Sequence, residues 1–348
     1  MNSILLRRSS KPVAIWLLAG VGMIMIQVLL GGITRLTGSG LSITEWKPIL
    51  GILPPVNEQD WQLAFNKYKE IGQFKQINFD FTLQDFKFIY FWEWFHRVWA
   101  RLIAVAFAIP FLIFVIQKRF RNDMIIPMII LFLLGALQGA LGWIMVKSGL
   151  NEENIYVNHI RLAIHFLTAL GLVCYAVWFV LKLLIPQTAL VTHTGLKKFT
   201  QLILAVLSVQ LLYGAFMAGL KAGVEAPTWP AINGHWLPTG ASNSLVNDPI
   251  WVQYIHRSLA YLLTILIVIW WWQARRMDGS TYFNKIRWWP LITVLLQVVL
   301  GIFTVLYAPQ PRYLLWLGVS HQFVAMLLLM ILVGVLFLLG GKSFKTSS

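Results

Sequence analysis

Charge is scarce in this chain, and cysteine scarcer still. Asp, Glu, Lys and Arg make up 12% of its 348 residues against 58% apolar side chains, which leaves too little polar surface to cover a soluble globule. The single cysteine, Cys174, lies in the middle of an apolar stretch, which excludes an internal disulfide and a cysteine-built metal cluster. No small-residue cleavage site follows the apolar run between Arg7 and Leu30. At about 20 residues that run is also too long for a signal core, so it reads as a first membrane span. Acids are rarer than bases, 13 against 28, for a net charge of +15. In a soluble chain that excess points to nucleic acid; here topology explains it, and no nucleic-acid partner is expected.

What is present is a series of apolar stretches, each of about 20 residues and so able to cross a ~30 Å hydrocarbon core as a helix. Eight can be read, centred near Ala19, Ala106, Leu134, Val173, Val206, Leu266, Leu295 and Leu329. The chain is therefore an all-α polytopic membrane protein in contact with lipid. Basic residues gather at Arg7, Arg8 and Lys11, at Lys118, Arg119 and Arg121, at Lys182, Lys197 and Lys198, at Arg275, Arg276, Lys285 and Arg287, and at Lys342 and Lys345. These are every second connection plus both termini, which the positive-inside rule assigns to the cytoplasmic or matrix side. Segments 32–87, 148–157, 221–249 and 308–313 then face outward.

The chain is written twice. Gln27, Gly31, Gly40, Trp46, Gly51 and Pro55 recur at an offset of 183 as Gln210, Gly214, Gly223, Trp229, Gly234 and Pro238. His96-Arg97 returns as His256-Arg257 at 160, Leu137-Gln138 and Gly142 as Leu296-Gln297 and Gly301 at 159, and His165 with Ala169 as His321 with Ala325 at 156. Each half holds four spans, so both enter the membrane from the same side and the repeat is parallel. Two tandem four-helix bundles follow, 1–190 and 191–348, related by a pseudo-two-fold axis along the membrane normal. All four odd-numbered spans carry Gln-x-x-x-Gly, at Gln27, Gln138, Gln210 and Gln297. The glycine serves either close helix packing or room for a flat ligand, and under both readings that face points into the bundle.

Of seven histidines, His96, His165, His256 and His321 lie near the outward ends of even-numbered spans, one pair in each half. Two facing imidazoles in a four-helix bundle are what a six-coordinate haem iron requires, whereas zinc wants three or four converging ligands. His159 has no repeat partner and reads as interfacial; His193 and His235 fall in connections. Glu93 stands three residues before His96, where the second half has Gln253 before His256. A carboxylate at the membrane threshold is costly unless paired or solvated, so it is either a reactive group or a salt-bridge partner of Arg97 or Arg101. The asymmetry points to a reactive site in the first half and a spectator haem in the second. Arg97 and Arg257 are placed either to pair with haem propionates or to anchor at the interface. The tryptophans, among them Trp92, Trp94, Trp99, Trp251, Trp271 and Trp272, read mainly as an aromatic belt.

The block Gly31-Gly32-Ile33-Thr34-Arg35-Leu36-Thr37-Gly38-Ser39-Gly40-Leu41-Ser42, then Glu45-Trp46-Lys47-Pro48 and Gly51-Ile52-Leu53-Pro54-Pro55, with Glu93-x-x-His96-Arg97, resembles the haem A synthases of bacteria and mitochondria along nearly the whole chain. The resemblance implies oxidation of the C8 methyl of haem O to a formyl group through an alcohol and a gem-diol. It implies His96 and His165 as ligands of the substrate haem with Glu93 beside the reacting edge, and His256 and His321 as ligands of a resident haem b. It also implies a bacterial or mitochondrial inner membrane, haem sites near the outer face, an electron-transfer partner, and links to haem O synthase and to terminal oxidase assembly. A cysteine pair that some members carry in the first outward loop is missing here. The rival from the residues alone is a di-haem cytochrome b that passes electrons, such as a quinone oxidoreductase subunit; a carboxylate in one bundle only argues against it. A transporter with a parallel repeat is weakened by the lack of charge at mid-span.

Overall fold

The structure is a computed structural model that describes residues 3–45, 50–238 and 244–341. Trp46, Lys47, Pro48, Lys342 and Lys345, used above as repeat, motif or topology markers, lie outside the described residues. The elements are α1 (Ser3–Leu36), the outer-loop helices α2 (Glu58–Tyr68) and α3 (Gly72–Gln76), then α4 (Leu83–Ile116), α5 (Asn122–Lys147) and α6 (His159–Leu184). The second half supplies α7 (Thr194–Gly219), short α8 (Ala222–Glu225), α9 (Pro249–Ala274), α10 (Thr281–Ile286), α11 (Trp289–Leu306) and α12 (Pro311–Leu338). Among the described residues eight helices are long and apolar enough to cross a membrane, α10 and α11 together forming one of them. An intrahelical ladder satisfies every backbone group where no water can, which is why apolar runs of this length are helical.

Local chemistry sets where the helices begin. Thr82 and Asp85 form a reciprocal capping box at α4, Asn158 caps α6 through Ile160 N and Arg161 N, and Asp248 caps α9 just before Pro249. His193, placed by sequence in a connection, proves to be the cap of α7, its Nδ1 accepting from Leu196 N at 3.0 Å. At 34 residues α4 is longer than a bilayer core needs; counting back about 20 residues from Ile116 reaches Arg97, so its first turns stand outside and His96 falls at the threshold.

Packing is uneven around the molecule. α12 is the most enclosed helix, with 61% of its apolar window buried, whereas none of the corresponding window of α4 is. α1 packs on α4 and α6, and α5 on α6; α9 lies against α7 and α11, and α12 against α7 and α11. α1 and α6 also pack on α12, and α6 on α7, so one core joins Val28 and Leu170 from the first half to Ile203, Ile267, Trp270 and Leu332 from the second. α4 makes no packing on α5 comparable to that of α9 on α11. That side of the first group is therefore more open than its counterpart.

Over the first group the long outer loop builds a core of its own. Leu41, Phe65, Tyr68, Ile71, Phe86 and Ile89 are buried together, with Phe86 stacked on Phe65 at 5.0 Å between ring centroids. Burial pushes the Tyr68 hydroxyl up to about 12, so it stays a neutral hydrogen-bonding group, donating to Gln73 at 3.0 Å and accepting from Asn78 at 2.7 Å. Gly72 lies so close to the segment after α5 that a Cβ there would sit 2.5 Å from the carbonyl oxygen of Glu152. Phe86 is fully buried at the centre of this cluster. Phe86→Ala is expected to destabilise the cap by about 3–5 kcal/mol, seen as a lower thermal midpoint of the detergent-solubilised protein and faster proteolysis between residues 51 and 80.

Candidate functional site

All four span-borne histidines face a glycine on the preceding odd-numbered span. A Cβ added to Gly31 would lie 3.2 Å from Cε1 of His96; the corresponding distances are 3.1 Å for Gly142 and His165, 3.3 Å for Gly214 and His256, and 2.9 Å for Gly301 and His321. An alanine would press on each ring, so the glycines are where the backbone must stay bare for an imidazole to seat. The two readings left open for Gln-x-x-x-Gly thus resolve into a third: the space cleared holds the histidine itself.

One turn earlier on the same face, the glutamine reaches the same ring. Gln27 Nε2 lies 3.0 Å from His96 Nε2 and 3.3 Å from its Nδ1, Gln210 Nε2 is 3.5 Å from His256 Nε2, and Gln297 Nε2 is 3.2 Å from His321 Nε2. The His256 and His321 rings have centroids 6.4 Å apart with planes at 71°. Two imidazoles bound to opposite faces of one metal, with bonds of about 2 Å, need roughly 6 Å between centroids. His96 and His165 are near enough to interact electrostatically, as are His256 and His321. The spacing of His256 and His321 therefore fits a haem between two imidazoles, and His96 and His165 offer the same donor pair in the first half.

Glu93 is buried, 3% exposed, between Arg97 of its own helix and the outer loop. Its Oε1 accepts from Arg97 Nη2 at 2.6 Å, and its Oε2 accepts from Ser42 Oγ at 2.7 Å and from Ile43 N at 2.8 Å. The salt-bridge alternative weighed for this acid is thus the arrangement observed, with Arg97 as the partner. Arg97 also donates to the carbonyls of Ile43 and Glu45. Its repeat partner does the same: Arg257 donates to the carbonyls of Ala226 and Thr228, which stand at the offset of 183 from Ile43 and Glu45. Gln253 donates to the Ala226 carbonyl at 2.9 Å, where Glu93 accepts from the Ile43 amide. Each arginine is thus a clamp that binds an outer loop to the helix carrying the histidine. These loop contacts are a third role beside the two sequence readings for the arginines.

Ser42 and Ile43 were not singled out as partners of Glu93, although Ser42 closes the long Gly-rich block; the signal was present and lacked a geometry. His159 packs against Phe216 at 5.6 Å between rings and against Gly219, placing it at the joint of α6 and α7. His235 pairs with Ile232 in the outer loop through two backbone bonds. Trp99 donates to Met23 O and Trp94 to Ile52 O, so these two tie elements together as well as standing at the boundary.

The two clamps differ in what their loss exposes. Removing Arg97 leaves a buried carboxylate without its cation, so Arg97→Ala is expected to cost about 3–5 kcal/mol. Arg257→Ala strands no charge and should cost less. Thermal unfolding of the two purified variants checks the order; equal losses would contradict the view that the Arg97–Glu93 pair sets the first clamp apart.

Comparison with known proteins bears on the whole chain. Residues 14–333 match the family model COX15-CtaA, described as cytochrome oxidase assembly protein. The heme A synthase of Flavobacterium psychrophilum is 38% identical over 339 residues, covering 92% of this chain and 96% of that protein. The heme A synthase of Parvibaculum lavamentivorans is 40% identical over 324 residues, covering 90% of each chain, and that of Beijerinckia indica is 42% identical over 342 residues, covering 93% of this chain and 91% of that one. With eight apolar helices, four glycine-seated histidines and a match along nearly its full length, the chain belongs to the COX15-CtaA family of cytochrome oxidase assembly proteins.

Proposed function

We propose that this integral membrane protein is a haem A synthase, oxidising the C8 methyl of haem O to a formyl group by successive hydroxylations. The observation that carries the reading is the duplicated histidine pair with a carboxylate in one half only: Glu93 beside His96, against Gln253 beside His256. His96 and His165 hold the substrate, and His256 and His321 hold a resident haem b, with the division of labour falling near residue 190. The bound haem b supplies one-electron transfer. The openness between α4 and α5 suits a ligand that must enter and leave, and the packing of α9 on α11 suits one that stays. A di-haem electron carrier has no need of this difference, and the synthase relatives favour the same choice.

Glu93 is the acid–base group of the first half in this reading, three residues before a ligand histidine on α4. Arg97, Ser42 and the Ile43 amide fix its position. A carboxylate there can accept a proton from a hydroxyl at the reacting edge or stabilise positive charge developing beside it. Arg97 and Arg257 stand at the outer threshold, where propionates would lie, and their loop contacts leave them positioned for this role. The basic inner connections put both termini on the cytoplasmic or matrix side and the haem sites near the outer face. Haem O synthase and the terminal oxidase assembly line are the partners upstream and downstream, with a separate electron-transfer partner.

Glu93→Gln copies the residue the second half already tolerates, so the fold is expected to survive. Haem A formation from haem O by the purified variant should fall by about 100-fold or more; a wild-type rate would remove Glu93 from the chemistry and leave it as a clamp. In the same preparation, His256→Ala and His321→Ala should abolish the resident b-type absorption spectrum while His96→Ala and His165→Ala preserve it. The reverse pattern would exchange the roles of the two halves.

A further inference from the structure

The Gln-x-x-x-Gly glutamines carry an unmet demand that recurs in all four spans. Within the described residues, the side-chain oxygens of Gln27, Gln138, Gln210 and Gln297 are buried and accept no hydrogen bond. Nδ1 of His165, His256 and His321 is likewise buried without a partner. An orphan buried acceptor is costly, and one per Gln-x-x-x-Gly span, repeated four times, is not incidental. In Gln27, Gln210 and Gln297 the amide nitrogen meanwhile spends its hydrogen bond on the ring, and for His256 and His321 the nitrogen it reaches is Nε2.

We infer that these glutamines are positioning residues for the histidines, the amide oxygen accepting Nδ1–H of a ring that gives Nε2 to iron. The inference rests on the ligation reading given above. When Nε2 serves as the ligand nitrogen it can no longer accept from the amide, and the neutral ring then carries its proton on Nδ1. Turning the amide about its last torsion presents its oxygen to the ring, and a shift of that oxygen past Cε1 from Nε2 to Nδ1 satisfies both orphans. The shift is short: Gln27 stands within 3.3 Å of both nitrogens of His96. Ligand histidines generally donate their second N–H to an acceptor that fixes the ring and raises its basicity, and beside His96, His256 and His321 the glutamine oxygen is a buried acceptor left over. The glycine one turn on keeps the ring from tilting away.

A bare packing role would leave the electronic properties of the resident haem unchanged, whereas an acceptor on Nδ1–H stabilises the oxidised state. Gln210→Leu and Gln297→Leu should therefore raise the midpoint potential of the resident haem b and alter its low-spin electron paramagnetic resonance signal, the double variant more than either single one. Retained haem with unchanged potential and signal would overturn the inference. Should the leucine variants lose their haem, Gln210→Glu and Gln297→Glu, which keep an acceptor oxygen, should restore it; failure to restore it would overturn the inference too. Failure of the ligation reading shows separately, as survival of the b-type spectrum in His256→Ala and His321→Ala.

Discussion

An imidazole seated on bare backbone is the contact from which the rest of this molecule is arranged. Histidine at bilayer depth is costly unless its nitrogens are engaged, and a helix can approach its neighbour closely enough to engage them only where the neighbour presents glycine. That requirement couples each odd-numbered span to the even-numbered span that follows it, at Gly31 and His96, Gly142 and His165, Gly214 and His256, and Gly301 and His321. The apolar faces around these contacts are then free to be filled by whatever Leu, Ile, Phe and Val reach them.

The outer loops follow from the same economy of polar groups. An arginine beside a span histidine has to dispose of its donors at the membrane boundary, and both Arg97 and Arg257 do so on loop carbonyls at equivalent positions. The loops are thereby drawn over the histidines. In the first half this covering is reinforced by the aromatic cluster around Phe65, Tyr68 and Phe86, and the same closure buries Glu93. Substituting Gln253 for the acid keeps the clamp while reversing the direction of one hydrogen bond: the carboxylate accepts from an amide N–H, and the carboxamide donates to a carbonyl.

Much of this was readable beforehand because the bilayer makes hydrophobic length a direct statement of structure. The eight spans and the four histidines needed only the apolar runs and the repeat. What was not readable was contact across elements. Ser42 and Ile43 are separated from Glu93 by about half a hundred residues, and nothing local to Ser42 marks it as a partner of a carboxylate. The loop core around Phe86 was hidden for a related reason, since α2 and α3 are short, and their aromatic residues were indistinguishable from an interfacial belt until they were seen to stack on one another. The clamp that Arg97 makes depends on where the loop carbonyls lie, which spacing along the helix does not encode.

The adjacent glycines Gly31 and Gly32 face different parts of the molecule. Gly31 receives His96, while a Cβ on Gly32 would lie 2.4 Å from the side-chain oxygen of Gln322, the residue after His321, whose amide donates to Val28 O at 3.0 Å. One turn of α1 is therefore a wall shared by the two histidine sites. The spacing between them is set by a single helix rather than by a hinge, and α1 cannot slide or rotate without disturbing both. A displacement of α1 would therefore be felt on two faces at once, at His96 and at Gln322 beside His321, however the outer loops move.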